Sequence, residues 1–158
     1  MLPGFLLHLT LSLLWMFLSQ GALPQLIVGL VGSFLLLACF RSVLPIHHYV
    51  RRTYGLVRFL YVFIRELALA NLTIAHFVLF KKTSQMHPNF ITYSTKGLAS
   101  FEIYLLSQCI TLTPGTTTVD VRLEEEELLL HAFEAADPAA VCSSIDLTLK
   151  QAILGFTR

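Results

Sequence analysis

The apolar positions of the chain begin with two nearly continuous runs, residues 2–18 and 22–40. At about 1.5 Å per residue, helices over these runs would reach roughly 26 and 28 Å. The hydrocarbon core of a bilayer is about 30 Å thick, so both helices can span it. Residues 19–24 between them, Ser-Gln-Gly-Ala-Leu-Pro, suit a tight turn. The pattern therefore predicts a transmembrane helical hairpin and a basic loop over residues 1–52.

A secretory signal peptide ending near Ala22 is an alternative interpretation of the first run. Such a signal begins with a positively charged segment, which this sequence lacks, and here a second apolar run follows at once. The basic residues Arg41, Arg51 and Arg52 follow the second run. Since basic loops stay on the cytoplasmic side, we expect this loop and the N-terminus to be cytoplasmic.

A third apolar stretch, residues 55–80, carries a polar stripe. At 100° per residue, its polar side chains cluster within an arc of about 100°. These residues are Arg58, Arg65, Glu66, Thr73 and His76, with Asn71 also in the stretch. Placing Arg65 at the bilayer centre would cost about 2.5 to 3.5 kcal/mol. We therefore predict that segment 53–84 is an amphipathic helix lying in the membrane interface.

In this interfacial arrangement the apolar side chains Phe59, Leu60, Phe63, Leu67 and Leu72 would lie in the acyl boundary. The alternative is a third span with its polar stripe against a partner protein, which would move residues 83–158 to the other side of the membrane. The stripe could serve as a proton relay, but a solvated or partner-facing stripe is the simpler interpretation.

The segment 85–158 has the pattern of a small α+β domain in the order β-α-β-β-α, a truncated ferredoxin-like arrangement. Strands are predicted at 89–95, 116–123 and 128–133, with a helix over 98–112 between the first two. The turn Thr113-Pro114-Gly115-Thr116 ends that helix, and Pro114 and Gly115 suit the central positions of a type II turn, which needs a positive φ at Gly115. Asp137-Pro138 has the form of a helix cap followed by the first turn of a last helix.

The second and third strands should form a hairpin whose tip is the carboxylate run 124–127. If Leu123 pairs with Leu128, then Asp120 lies opposite His131. Helices can cover only one face of this sheet, so we expect the other face to be a docking surface. That face would carry Thr118, Asp120, Arg122, Leu129, His131 and Phe133.

Charge is distributed unevenly along the chain. Residues 1–40 carry no Lys, Arg, Asp or Glu, residues 41–82 carry seven basic and one acidic residue, and residues 83–158 carry four basic and nine acidic residues. With 55% hydrophobic and 13% charged residues, the chain is unlike a soluble globular protein, a basic nucleic-acid binder or a disordered acidic tail.

Motifs that carry chemistry are missing from the sequence. It has no Gly-rich phosphate loop, no GxSxG and no HExxH. The three cysteines, Cys39, Cys109 and Cys142, are far apart and are expected to be buried reduced thiols. The carboxylate run lacks the spacing of a calcium loop, and Asp120 with His131 lacks a nucleophile. We therefore expect no enzyme activity, no cofactor and no metal site.

Several stretches closely resemble the E subunit of Mrp-type multisubunit sodium/proton antiporters, the Mnh/Pha/Sha family. The strongest is LLSQCITLTPGTTTVDV at residues 105–121, followed by Leu130-His131-Ala132-Phe133 and Asp137-Pro138. The segment from Phe59 to Asn71 is similar to the helix that follows the hairpin in that family, with the form R-E-L-x-x-A-N.

The resemblance implies an accessory structural subunit of a bacterial plasma-membrane complex that exports sodium in exchange for protons. Its partners would be the other antiporter subunits and membrane lipid, with no nucleic acid, and the larger subunits would carry the proton path. It would be a multi-pass membrane protein with its C-terminal domain in the cytoplasm. The candidate subunit interface comprises Arg58, Arg65, Glu66, Asn71, His76, Asp120, Arg122, Leu129, His131 and Phe133.

Two other functions remain open from the residues. A membrane-anchored regulatory module could bind a small ligand through its ferredoxin-like domain. A stand-alone channel is a third hypothesis, although two short spans lack the paired intramembrane ionisable residues that an independent ion route needs.

Overall fold

The computed structural model describes residues 2–19, 21–42, 46–82 and 86–158. The chain divides into two compact units, Met1–Tyr54 and Gly55–Arg158. The division falls inside a 34-residue helix, α3 (His47–Phe80). Among the described residues, α3 and the helical stretch Pro138–Thr157 are long and apolar enough to cross a membrane, judged by length and composition alone.

The first unit is built on two apolar helices, α1 (Leu2–Leu18) and α2 (Leu23–Cys39). Each has 17 residues, the lower end of the range of about 17 to 25 found in membrane spans. Pro24 lies in the first turn of α2, where its missing N–H costs no helical hydrogen bond. The helices begin and end within a residue or two of the predicted positions.

Close contact between α1 and α2 depends on one glycine and two hydroxyls. A Cβ atom at Gly29 would lie 2.8 Å from the carbonyl oxygen of Ser12, so a larger residue would push the helices apart. The Oγ atoms of Ser12 and Ser33 are 2.8 Å apart. His8 joins all three helices of the unit, because its Nε2 contacts the Leu30 carbonyl at 2.9 Å and its Nδ1 contacts the Tyr49 hydroxyl of α3.

The second unit contains a three-stranded antiparallel sheet. Its strands are β1 (Asn89–Ser94), β2 (Thr116–Arg122) and β3 (Glu127–Ala132), in the spatial order β1-β3-β2. Since β3 is antiparallel to both neighbours, β1 and β2 run parallel to each other on either side of it. Alternate residues of β3 are buried, so one face of the sheet forms the core.

Helices cover that face of the sheet. They are α4 (Ser100–Leu112), α5 (Pro138–Ile145), a π-helical segment (Asp146–Lys150) and α6 (Gln151–Thr157), the last three forming one continuous helical stretch. Asp137 caps α5 as predicted, since its Oδ1 accepts from the backbone N–H groups of Ala139 and Ala140. The core is made of apolar side chains from both layers, including Ile91, Tyr93, Ile103, Leu106, Ile110, Leu128, Leu130, Leu149 and Ile153.

The second unit also includes the larger part of α3. Phe59 is buried in the core, and Val62 and Phe63 pack against it. At Gly55 an added Cβ would lie 2.4 Å from the Gly155 carbonyl oxygen, so α3 crosses α6 in direct backbone contact. The prediction that Phe59 and Phe63 lie in the acyl boundary is therefore wrong, because both side chains pack in or against the core of the domain. This part of α3 therefore packs with the C-terminal domain.

The β2–β3 hairpin forms in a different register from the predicted one. Val121 pairs with Leu128, and Asp120 pairs with Leu129. The reason is the turn: residues 123–126 form it together, with Glu126 at φ 54° and its N–H bonded to the Leu123 carbonyl. Asp120 therefore does not lie opposite His131, which pairs with Thr117.

A bulge between Thr118 and Asp120 changes the faces of β2 as well. Thr118 pairs with buried Leu130, and its Oγ1 donates to the Ser107 carbonyl of α4 at 3.2 Å. The prediction that Thr118 lies on the uncovered face is wrong, because the bulge inserts one residue and reverses the alternation N-terminal to it.

Candidate subunit interface

The sheet face opposite the helices is uncovered by the described residues of the second unit. Leu129 and His131 lie on this face, because they alternate along β3 with the buried residues of that strand. Asp120 lies on the same face, because it pairs with Leu129. Phe90 is 59% exposed, and its ring lies 5.0 Å from the ring of His131. An aromatic residue this exposed beside other apolar side chains is typical of a binding surface.

Charged residues border this face at the hairpin end. Arg122 contacts Asp120 at 3.1 Å through Nε and Glu125 at 3.3 Å through Nη1. All three side chains are largely exposed, so these ion pairs add little stability. They give the rim of the face a mixed charge pattern, which is suited to orienting a partner.

Phe133, which was predicted on the same face, lies elsewhere. The strand ends at Ala132, and the Phe133 ring packs edge-on against Phe77 of α3 with centroids 4.9 Å apart. Its backbone N–H donates to the Gly115 carbonyl at 2.8 Å. Phe133 thus connects β3, α3 and the turn before β2, and it is only half-buried.

The turn Thr113-Pro114-Gly115-Thr116 has the geometry predicted from its sequence. Gly115 has φ 98°, a conformation that residues with a Cβ rarely adopt. An added Cβ would also lie 3.2 Å from Ile74 Cδ1 and Phe133 Cδ1. The hydroxyls of Thr113 and Thr116 both donate to the Ile110 carbonyl, at 2.8 and 3.0 Å, and close the end of α4.

The polar residues of α3 are divided between two surroundings. Arg58, Arg65 and His76 are exposed, whereas Glu66 is half-buried and contacts Arg65 through its Oε1. Asn71 donates to the Leu67 carbonyl at 2.7 Å and is exposed on another side of the helix. The predicted polar stripe therefore includes a half-buried residue, Glu66, as well as exposed ones.

The outward side of α3 within the second unit is strongly apolar. Its exposed side chains recur at intervals of three and four residues, as on one helical face. They are Val57, Leu60, Tyr61, Ile64, Leu72, Val78 and Leu79. A soluble monomer rarely exposes so long an apolar stripe, so this side requires lipid or protein against it.

One ion pair that the sequence analysis missed holds the C-terminal helix to α4. Glu102 is buried, and its carboxylate accepts from Arg158 Nη2 at 2.9 Å, Thr157 Oγ1 at 2.7 Å and Ala99 N–H at 2.8 Å. These donors, Arg158 foremost, lower the pKa of Glu102 to about 2. The position of Glu102 three residues after Ala99 is consistent with its bond to the Ala99 N–H, but no local sequence pattern indicates the pair with Arg158.

A second buried contact joins the sheet to the π-helical segment. The Tyr93 hydroxyl donates to Asp146 Oδ1 at 2.6 Å, and Lys150 Nζ contacts the same oxygen at 2.9 Å. Burial, together with this hydrogen bond, raises the pKa of Tyr93 well above its usual range. The bonds from Tyr93 and Lys150 lower the pKa of Asp146. This cluster is occupied with its own contacts and serves to position the helix.

The three cysteines are free thiols. Cys109 is buried, and burial raises its pKa to about 11; Cys142 is half-buried, and its pKa is also raised by burial. Cys39 of α2 was predicted to be buried, but its side chain is exposed on the surface of the first unit. Within the described ranges, His, Cys, Asp and Glu form no group of three or more that could hold a metal ion.

Comparison with known proteins places these features in a family. A family model described as Na+/H+ ion antiporter subunit matches residues 8–155. The chain is 28% identical to the E subunit of the Na(+)/H(+) antiporter of Alkalihalophilus pseudofirmus and 30% identical to that of Bacillus subtilis, each over 97% of both proteins.

A solved structure shares the fold. It is a chain of the membrane-bound sulfane sulfur reductase, an archaeal respiratory membrane complex, and it aligns with a TM-score of 0.54 at 22% identity over 95% of this chain and 96% of that one. The mixed architecture of apolar helices and a small three-stranded sheet is therefore one used in a membrane complex. With the family model and both relatives in agreement along nearly the whole chain, the chain belongs to the Na+/H+ antiporter subunit family.

Proposed function

We propose that the chain is an accessory structural subunit of an Mrp-type antiporter complex and that its role is assembly rather than ion conduction. In this account α1 and α2 cross the bacterial plasma membrane as a hairpin, and the α+β domain lies on the cytoplasmic side. Other subunits carry the exchange of sodium for protons. The basic residues after α2, Arg41, Arg51 and Arg52, support this orientation by the positive-inside rule.

The observation that carries the proposal is the amount of large apolar surface left uncovered. It includes the outward side of α3, with Tyr61 68% and Leu72 67% exposed, and the uncovered sheet face with Phe90. Lipid can cover the hairpin and part of α3, but a sheet face edged by charged residues is suited to a protein partner. In the proposed truncated ferredoxin-like arrangement, the helices that cover the sheet lie on one side of it and leave this face open, and the strand order β1-β3-β2 supports that arrangement.

The chain offers little for an ion path of its own. Residues 2–19 and 21–42 carry no Asp, Glu or Lys and one Arg, at position 41. The only titratable side chain within α1 is His8, and both of its ring nitrogens are engaged by Tyr49 and Leu30. Transporters that move protons or sodium through a membrane use paired ionisable groups within it.

Deleting the chain from cells that make the remaining subunits tests the proposal. We expect the complex to be lost or reduced on a native gel while the other subunits are still synthesised, and expression of the chain in trans should restore it. A complex that assembles fully and transports normally without the chain would show that the assembly role is wrong.

A small-ligand-binding module is the second candidate, and a cavity of about 380 Å³ in the second unit favours it. Residues 83–158 alone do not test this, because Phe59 and Phe63 of α3 complete the core. Residues 55–158 or the full chain should be used instead, and a metabolite that raises the melting temperature in the absence of other subunits would support this alternative.

A further inference from the structure

The cavity in the second unit is a slot between α3, the 113–116 turn and the start of the last helical stretch. Its volume is about 380 Å³, more than ten times that of a water molecule. The side chains of Val141, Ile145, Leu149 and Phe133 give it apolar walls. Two carboxylates also line it, Glu66 from α3 and Glu134 after β3, and its described lining contains no Lys or Arg.

Four of the five hydroxyl-bearing side chains that line the slot donate their protons to backbone carbonyls, and Ser144 is the exception. Thr73 Oγ1 donates to the Leu69 carbonyl at 2.9 Å, and Thr148 Oγ1 donates to the Ser144 carbonyl at 2.7 Å. The hydroxyls of Thr113 and Thr116 donate to Ile110. A hydroxyl has one proton and two lone pairs, so these groups can only accept hydrogen bonds from an occupant.

The two carboxylates keep capacity for a further donor. Glu66 contacts Arg65 through Oε1, and Arg65 is 53% exposed, so that contact is weak and exchangeable. Glu134 Oε1 lies 3.4 Å from His87 Nδ1 at the surface. In the described contacts both ion pairs use Oε1, so the Oε2 atoms of Glu66 and Glu134 can accept from another donor.

We propose that this acidic slot binds an arginine or lysine side chain presented by another subunit of the antiporter complex, an inference that rests on the assembly function proposed above. A lining in which four hydroxyls and two carboxylates accept hydrogen bonds favours a donor-rich occupant, and the two carboxylates select a positive one. The apolar walls match the aliphatic stem of a basic side chain. A bare sodium ion would leave most of the slot unfilled and would meet apolar walls on several sides.

Charge removal is the first test, carried out on the complex purified through a tag on this chain. Glu66→Gln together with Glu134→Gln keeps the shapes of the side chains and removes their charges. We expect about a tenfold loss of identified partner subunits after washing in moderate salt, since close charge pairs across interfaces contribute at least that much. The control pair, Glu124→Gln with Glu126→Gln, changes exposed carboxylates at the hairpin tip that make no contact with Arg122, and it should retain them.

Salt and transport separate the alternatives. Retention of partner subunits by the wild type should fall with rising salt, and the double variant should show a flatter dependence. Unchanged retention in the double variant would overturn the proposal. Unchanged retention with a shifted sodium dependence of transport would also overturn it and indicate a cation site.

Two further changes keep the proposal falsifiable if the double variant does not accumulate. Thr148→Trp fills the slot without altering charge and should release the partner subunits. A photo-reactive benzoylphenylalanine at Leu69, on the exposed rim of the slot, should cross-link to a partner peptide next to an Arg or Lys. Cross-links only to lipid or only within this chain would contradict the proposal.

The proposed function and the slot can fail separately. If deletion of the whole chain leaves the complex intact, the assembly role fails. If deletion disrupts the complex but the charge variant, the filled slot and the cross-link all show no effect, only the slot fails.

Discussion

The ion pair between Glu102 and Arg158 is expected to be a major source of stability for the C-terminal domain. The carboxylate of Glu102 is 4% exposed and accepts two hydrogen bonds from Arg158, at 3.2 and 2.9 Å. Arg158→Ala would leave this carboxylate buried with Thr157 and Ala99 as its remaining donors. Removing one partner of a buried pair is costly because the other charge stays desolvated.

The pKa of Glu102 gives the magnitude. Its value of about 2, against 4.5 for a free glutamate, corresponds to about 3 kcal/mol of stabilisation at neutral pH. Arg158 itself is 55% exposed, which weakens its share of the interaction. We therefore expect Arg158→Ala to remove part of this stabilisation, with Thr157 and Ala99 retaining the rest, and to lower the free energy of unfolding measurably.

The pH dependence has a definite sign. Because folding lowers the pKa of Glu102, the stabilisation is complete above about pH 4.5 and is lost as the pH falls towards 2. Arg158→Ala should flatten this part of the stability profile. Replacing both residues, Glu102→Leu with Arg158→Ala, should cost less than removing the arginine alone, since no buried charge would remain.

Pulse proteolysis of the full chain in detergent, across a urea series, measures these free energies. Arg122→Ala, which breaks exposed ion pairs with Asp120 and Glu125, is the matched control and should leave the free energy of unfolding almost unchanged. A similar small effect for Arg158→Ala, or an unchanged profile between pH 5 and 2, would refute the reasoning.

Three further changes test other contacts. Gly115→Val should reduce complex yield and destabilise the domain by about 1 to 3 kcal/mol through strain at φ 98°, and normal yield on a native gel would count against the turn. Gly29→Val should separate α1 from α2 and abolish disulfide formation between Ser12→Cys and Ser33→Cys, whereas Gly32→Ala, where an added Cβ meets no atom within 4 Å, should preserve it; equal cross-linking would contradict the packing. Tyr93→Phe should cost about 1 kcal/mol by urea unfolding, and no loss would mean that its bond to Asp146 contributes nothing.

Much of the fold was predictable because its signals are local. The apolar runs predicted α1 and α2. Period-two alternation in β2, and short apolar, aromatic or β-branched runs in β1 and β3, placed the strands within a residue or two. The Pro-Gly pair predicted a turn with a positive φ at Gly115, which is confirmed. Each of these features depends on residues close together in the chain.

The features that escaped prediction depend on contacts between distant residues or on turn length. The four consecutive glutamates do not indicate where the hairpin turn begins. The predicted pairing of β2 with β3 was therefore displaced from the observed one. Phe59 and Leu60 are both apolar, yet one packs in the domain core and the other is exposed, and the residue type does not distinguish core from lipid. Arg158 reaches Glu102 across 56 positions, beyond any local pattern.

Ion exchange by the purified chain is the most direct test of its role in assembly. The full chain, and separately the whole antiporter complex, can be reconstituted into liposomes that hold a pH-sensitive dye. Sodium added outside should dissipate a pre-formed proton gradient only in liposomes that hold the complex. Sodium-dependent dissipation by the chain alone, at a comparable rate per molecule, would contradict the account.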